Sequence, residues 1–239
     1  MKTRIAITAM MLLSANAVHA VPMLVNGGFE TGDFTGWTQV TSNGTSNSCQ
    51  TDWYVAIRDK ECNTVDTLLS NPSEGTYAAY NSFDGTAQTS YTIEQDITLD
   101  SALINNASLG FSYTVGWDFS RGNTATLDRL FALSLYDVSD NLIGDAFTLS
   151  IGPDDGIKGT IDWTDSLIDI TAFLTGYEGE TVTLVADVFV PETFTGPGSF
   201  GLDAVNLDIT THAVSEPSTM ALLGLSLLGL GLLKRPQSA

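Results

Sequence analysis

Aromatic rings beside short polar side chains are the first chemistry this chain offers. Trp53 and Tyr54 follow Asp52, Tyr80 precedes Asn81, and Trp117 precedes Asp118. A sugar presents an apolar C–H face to a ring and a rim of hydroxyls to polar neighbours, so such pairs suit carbohydrate binding. The competing role for each ring is core packing. Trp163, near Asp162 and Asp165, fits either role, and Trp37 after Gly36 reads as core. Carboxylates are abundant, 28 Asp+Glu against 9 Lys+Arg. Glycoside hydrolysis needs only two of them at a set separation. The nearest strand pattern, Glu94-Gln95-Asp96, has Leu99 where a third carboxylate would stand, and reads as the exposed face of a strand. The two histidines are His19 and His212. Neither gives a Ser-His-Asp triad a base, and no Gly-x-Ser-x-Gly elbow, Gly-x-Gly-x-x-Gly or Walker pattern is present. Enzymatic chemistry is therefore not the expectation.

The two ends decide where this chemistry operates. Lys2 and Arg4 precede the apolar run Ile5–Leu13, and Val18 and Ala20 place small residues for cleavage after Ala20. Residues 1–20 thus read as a secretory signal peptide. At the other end, Ser215-Glu216-Pro217 leads into an uncharged apolar run, Met220–Leu233, closed by Lys234-Arg235. The run alone is short of the roughly 20 residues a span requires. Adding Pro217–Thr219 and letting the terminal cations snorkel reaches that length, with Lys234 and Arg235 on the cytoplasmic side.

This tail resembles the PEP-CTERM sorting signal of Gram-negative bacteria, with Ser215 where the family usually has Pro. The resemblance implies an exosortase-type membrane protease as partner, cleavage near the hinge, a transient hold in the inner membrane, and release to the cell surface or exopolysaccharide matrix. The sorting signal is assigned to 212–239, with a hydrophobic helix over 218–233.

Between the ends, roughly 190 residues suit a single all-β domain, assigned to 21–211. Four of the 9 Lys+Arg lie in the terminal segments, so this part is more acidic than the whole-chain charge of −19 suggests. Such a surface repels nucleic acid and anionic lipid and is compatible with neutral polysaccharide and divalent cations. In an exported protein Cys49 and Cys62 most simply form a disulfide, closing a loop of about 14 residues worth on the order of 3 kcal/mol.

Apolar and polar residues alternate through Phe111–Trp117, Phe131–Leu135 and Val182–Val190, between turn signals such as Ser139-Asp140-Asn141. Period-two alternation means strands with one buried face, and many short strands with Gly-rich turns mean a β-sandwich or jelly roll. In the last strand the apolar parity is even at Phe200 and Leu202 and odd at Val205 and Leu207. Such a slip requires a bulge near Asp203-Ala204.

The opening Leu24-Val-Asn-Gly-Gly-Phe-Glu-Thr-Gly-Asp-Phe-Thr-Gly-Trp37 and the closing Phe200-Gly-Leu-Asp-Ala-Val-Asn-Leu207 resemble the galactose-binding-like jelly rolls of bacterial carbohydrate-binding modules. The resemblance implies a jelly-roll β-sandwich and a structural calcium tying the first strand to the last. Its matching ligands would be the Gly28 carbonyl and the Glu30 and Asp203 carboxylates, hard oxygens of the kind calcium takes. The expectation is an exported, non-catalytic surface or matrix protein that binds polysaccharide. The alternatives are a structural or adhesive calcium-stabilised matrix protein without a sugar site and, less favoured, a glycoside hydrolase.

Overall fold

The computed structural model describes residues 23–41, 52–58, 71–83, 89–120, 126–191 and 198–212, all within the unit Ala20–His212. The expected signal peptide, the Cys49/Cys62 pair, and the tail with its 218–233 helix lie outside these residues. Among the described residues no helix is long and apolar enough to cross a membrane.

Among the described residues ten strands carry the fold: β1 (Thr38–Thr41), β2 (Tyr54–Ala56), β3 (Ala78–Phe83), β4 (Thr89–Thr98), β5 (Ile104–Asp118), β6 (Arg129–Asp137), β7 (Leu142–Ile151), β8 (Lys158–Asp169), β9 (Thr181–Val190) and β10 (Gly198–Thr211). A single helical turn, α1 (Thr171–Leu174), follows β8. The first sheet has the order β1-β4-β9-β6-β7 and the second β2-β3-β10-β5-β8. Every strand pairing is antiparallel. From β3 onward the chain places β3, β10, β5 and β8 in one sheet and β4, β9, β6 and β7 in the other. That wrapping of eight strands into two facing sheets is a jelly roll, as expected.

Alternation builds the core. In β9, Val182, Leu184, Ala186, Val188 and Val190 are buried while the residues between them face outward. In β6, Phe131, Leu133 and Leu135 point to the same interior, and Phe131 stacks on Phe200 of the opposite sheet at 5.6 Å between centroids. Contacts of this kind between inner faces are the main source of a sandwich's stability.

The expected parity slip is present. The β10–β5 register shifts between Asp203 and Asn206, with Ala204 at φ +51°. A non-glycine residue at positive φ is uncommon, and here it lets Leu202 and Val205 both point inward. The opening segment docks against this bulge. Val205 N donates to Gly27 O at 3.0 Å, and a methyl group on Gly27 would lie 1.8 Å from Val205 O, so only glycine allows the approach. Phe29 and Trp37 seal the junction, their rings 5.6 Å apart.

Candidate functional site

The bulge and the opening segment bring Gly28, Glu30 and Asp203 to one corner, joined there by Glu74. Asp203 is fully buried. Its Oδ2 accepts from Ser73 N at 2.9 Å, Ser73 Oγ at 3.1 Å and Glu74 N at 3.1 Å, and its Oδ1 accepts from Ala204 N at 2.7 Å. Burial pushes the Asp203 carboxyl above its ordinary value. The Glu74, Ala204 and Ser73 donors hold it back, and the Glu74 charge adds to the rise. Glu30 accepts from Thr76 N and Tyr77 N, each at 2.9 Å. Gly75, at φ +58°, leaves room for that carboxylate, since a methyl group there would sit 2.3 Å from Glu30 Oε1. A methyl group on Gly28 would lie 3.2 Å from Glu74 Oε1 and 3.9 Å from Asp203 Oδ1, so its absence leaves a small space edged by two carboxylates. Among the described residues no group of three or more His, Cys, Asp or Glu side chains is gathered to hold a metal ion.

The four rings picked out as sugar platforms lie elsewhere and are corrected to packing roles. Trp53, Tyr54, Tyr80 and Trp117 are only 2%, 9%, 0% and 7% exposed, and a ring without an open face cannot stack on a sugar from solvent. Trp53 belongs to the main core, its Nε1 donating to Tyr91 O at 2.9 Å. Tyr54 and Tyr80 form a separate cluster on the outer face of the second sheet, 6.0 Å apart, with Trp163 6.3 Å from Tyr80. Trp163 Nε1 donates to Asn71 O at 2.6 Å, which ties the segment before β3 over this face. Trp117 donates to Gly156 O at 3.1 Å and packs where Gly159 lacks a side chain.

The outer face of the first sheet is open. The strand register sets Glu94 and Thr92 of β4 beside Val185 and Asp187 of β9, and those beside Ser134 and Ala132 of β6. Phe189 and Tyr136 occupy the same alternating positions toward the two ends and, like Glu94 and Asp187, are partly exposed. Asp187 Oδ2 accepts from Ser90 Oγ at 3.2 Å, and its buried Oδ1 has no hydrogen-bond partner among the described residues. Burial pushes the Asp187 carboxyl up to about 6, with the Ser90 hydroxyl opposing. Glu94 is raised by burial and then by Asp96 and Asp140; Tyr136 is raised by burial and then by Asp145 and Asp187. The face therefore combines two partly exposed rings with carboxyls that water solvates poorly. Sequence reasoning reached Glu94 and Asp96 but missed Tyr136, Asp187 and Phe189. The available signal was their outward parity in the middle of strongly alternating strands.

The solved structures similar to this chain include carbohydrate-binding modules and an adhesin. TmCBM61 in complex with β-1,4-galactotriose is 19% identical, with 78% of this chain and 97% of that chain covered and a TM-score of 0.46. The CBM22-1–CBM22-2 tandem domain of Paenibacillus barcinonensis Xyn10C is 13% identical, with 86% and 50% covered and a TM-score of 0.41. The K3 cleaved adhesin domain of Lys-gingipain from Porphyromonas gingivalis w83 is 13% identical, with 80% and 99% covered and a TM-score of 0.45. No curated protein matches the chain. Residues 213–235 match the PEP-CTERM protein-sorting motif, so the chain carries the C-terminal signal of an exported protein.

Proposed function

We propose that this is a non-catalytic, exported polysaccharide-binding protein of the cell surface or extracellular matrix, and that it binds glycan across the open face of the first sheet. The observation that carries this reading is the coexistence there of partly exposed Tyr136 and Phe189 with the carboxyls of Glu94 and Asp187. Rings supply stacking area, and poorly solvated carboxyls hydrogen-bond hydroxyls more strongly than solvated ones do. Five strands at about 4.8 Å spacing give a surface on the order of 20 Å across, enough to track a polymer rather than one sugar. The test is affinity electrophoresis on a panel of neutral and host exopolysaccharides that includes β-1,4-galactan. Binding should fall at least tenfold in Tyr136→Ala. No binding to any polysaccharide, or binding untouched by that change, overturns the reading. Hydrolysis of a panel member that is abolished by Glu94→Gln would instead support the glycosidase alternative.

The space beside Gly28 favours a second element of the proposal, a structural calcium. The Gly28 carbonyl, Glu30 and Asp203 would hold it, hard oxygens of the kind calcium takes. Chelator should lower the melting temperature of the wild type but not of Asp203→Ala. An unchanged wild-type melting curve rules the ion out and leaves the corner held by its backbone donors alone.

For the tail, the proposal is exosortase-type cleavage near Ser215-Glu216-Pro217 after a transient hold in the inner membrane by the apolar run and Lys234-Arg235. Replacing Glu216 should leave an uncleaved, membrane-retained form; normal release of that variant contradicts the assignment.

A further inference from the structure

A cleft of about 370 Å³ opens on the outer side of the second sheet, where the segment before β3 meets the β10 bulge. That is within the lower range of small-ligand sites, about 300–1,000 Å³. Gly110 and Ala204 contribute to it with Ser112, Asp165, Asn206 and Glu74. Gly110 has no steric need to be glycine: a methyl group there would meet nothing nearer than 3.6 Å, the Leu167 Cδ1 atom. Its missing side chain is open space in the cleft.

The lining is richer in acceptors than in donors. Ser112 Oγ donates to Asp165 Oδ1 at 2.6 Å, and Asn206 Nδ2 donates to Asp208 Oδ2 at 2.8 Å. Ser73 Oγ donates to Asp203. Ser112 and Ser73 thus spend their hydroxyl donors and Asn206 one of its two N–H donors; the acceptors that remain are the second Asp165 oxygen, the Asn206 carbonyl and the Glu74 carboxylate, beside the second Asn206 N–H and the Ser166 hydroxyl. Glu74 is held at β10 and Asp165 lies on β8, two strands away across β5. Among the described residues no Lys, Arg or His lines the cleft. An acceptor-rich lining selects a guest rich in donors, and two carboxylates select a guest that carries positive charge.

The geometry points to a second glycan subsite in this cleft, specific for a sugar residue with a free amino group, a de-N-acetylated hexosamine. The ammonium would sit between Glu74 and Asp165, and the neighbouring hydroxyls would donate to Asn206. The subsite rests on the polysaccharide-binding reading above, yet it stands on the other sheet and makes a different demand. N-acetylation removes both the charge and a donor, so an acetylated residue should bind poorly here.

Calorimetry on the purified full-length protein with glucosamine hexamer, N-acetylglucosamine hexamer and β-1,4-galactan tests it. The amino hexamer should bind at least tenfold more tightly than its acetylated counterpart, the size of one lost charge-assisted hydrogen bond. Gly110→Val, which fills the cleft with a residue that strands favour, and Asp165→Asn should each abolish that preference, and Tyr136→Ala should leave it. Circular dichroism and melting curves confirm that the variants fold. Equal affinity for the two hexamers overturns the inference. So does a preference that survives both cleft variants, since that would be diffuse attraction to an acidic surface. If galactan or another neutral glycan binds through Tyr136 without any amine preference, this inference falls alone. If no glycan binds at all, the underlying reading falls with it.

Discussion

The two outer faces of this sandwich carry similar side chains and use them differently. On the second sheet, Tyr54 and Tyr80 are buried with Trp163 packed against them, and Ser112, Thr114 and Ser199 on β5 and β10 of that sheet are buried too. On the first sheet, Tyr136 and Phe189 stay partly exposed among Glu94, Thr92 and Asp187. Ring chemistry does not separate the two sets. What separates them is a piece of backbone: the 71–77 segment reaches Trp163 through Asn71 and Asp203 through Ser73 and Glu74. A covered aromatic is core, and an uncovered one keeps part of its ring toward solvent.

The largest effect should come from cutting that cover loose. Asp203→Ala leaves Ser73 N, Glu74 N and Ala204 N without their acceptor in a buried place. It should cost about 3 kcal/mol in urea denaturation. The counterpart on the open face is Asp96, exposed and accepting from Thr183 Oγ1 at 2.8 Å. Asp96→Ala should change stability by no more than about 0.5 kcal/mol. Comparable losses at the two positions would mean that the second face is not held by this clasp.

Asp187 gives the next largest effect, with the opposite sign. Its folded pKa of about 6 lies above the ordinary 3.8 because burial disfavours the charge. Below about pH 4 the group is protonated folded and unfolded, and it carries no penalty. Between there and pH 6 the folded state binds the extra proton, so stability falls as pH rises, and above pH 6 the full cost of holding the charge is present. Asp187→Asn should therefore stabilise the protein at pH 7.5 by on the order of 2 kcal/mol and change little at pH 3.5. A gain that is the same at both pH values would show that the open face does not desolvate this carboxyl.

The parts of the fold visible in the sequence are those set by neighbouring residues. Alternation through Phe131–Leu135 and Val182–Val190 gives strands and their inward faces, because side chains on a strand repeat every second residue. The parity change between Leu202 and Val205 locates the bulge for the same local reason. The site was less visible. Tyr54, Tyr80 and Trp117 sit next to polar residues, as binding rings do, and their burial is decided by residues far away: Ser82 for Tyr54, Trp163 for Tyr80, Gly156 and Gly159 for Trp117. Asp187 has no unusual neighbour in sequence. Its environment comes from Thr92 and Ala132 on two other strands. No pattern within a window of ten residues encodes either fact.

The smallest expected difference between the faces is also the closest control, because each face has a serine bonded to the aspartate directly across from it. Ser112 Oγ donates to Asp165 on the second sheet at 2.6 Å, and Ser134 Oγ donates to Asp145 on the first at 2.7 Å. In each pair the serine is buried and the aspartate exposed, so water can replace the lost donor in both. Ser112→Ala and Ser134→Ala should each cost about 0.5–1 kcal/mol, and the two values should agree within error. If Ser112→Ala costs clearly more, cover over the second face extends beyond the rings to Asp165, and the cleft is less open to a ligand than its lining implies. If the costs match, the difference between the faces is confined to the aromatic cluster and the Asp203 clasp, and the cleft beside Asp165 is as accessible as the open sheet opposite.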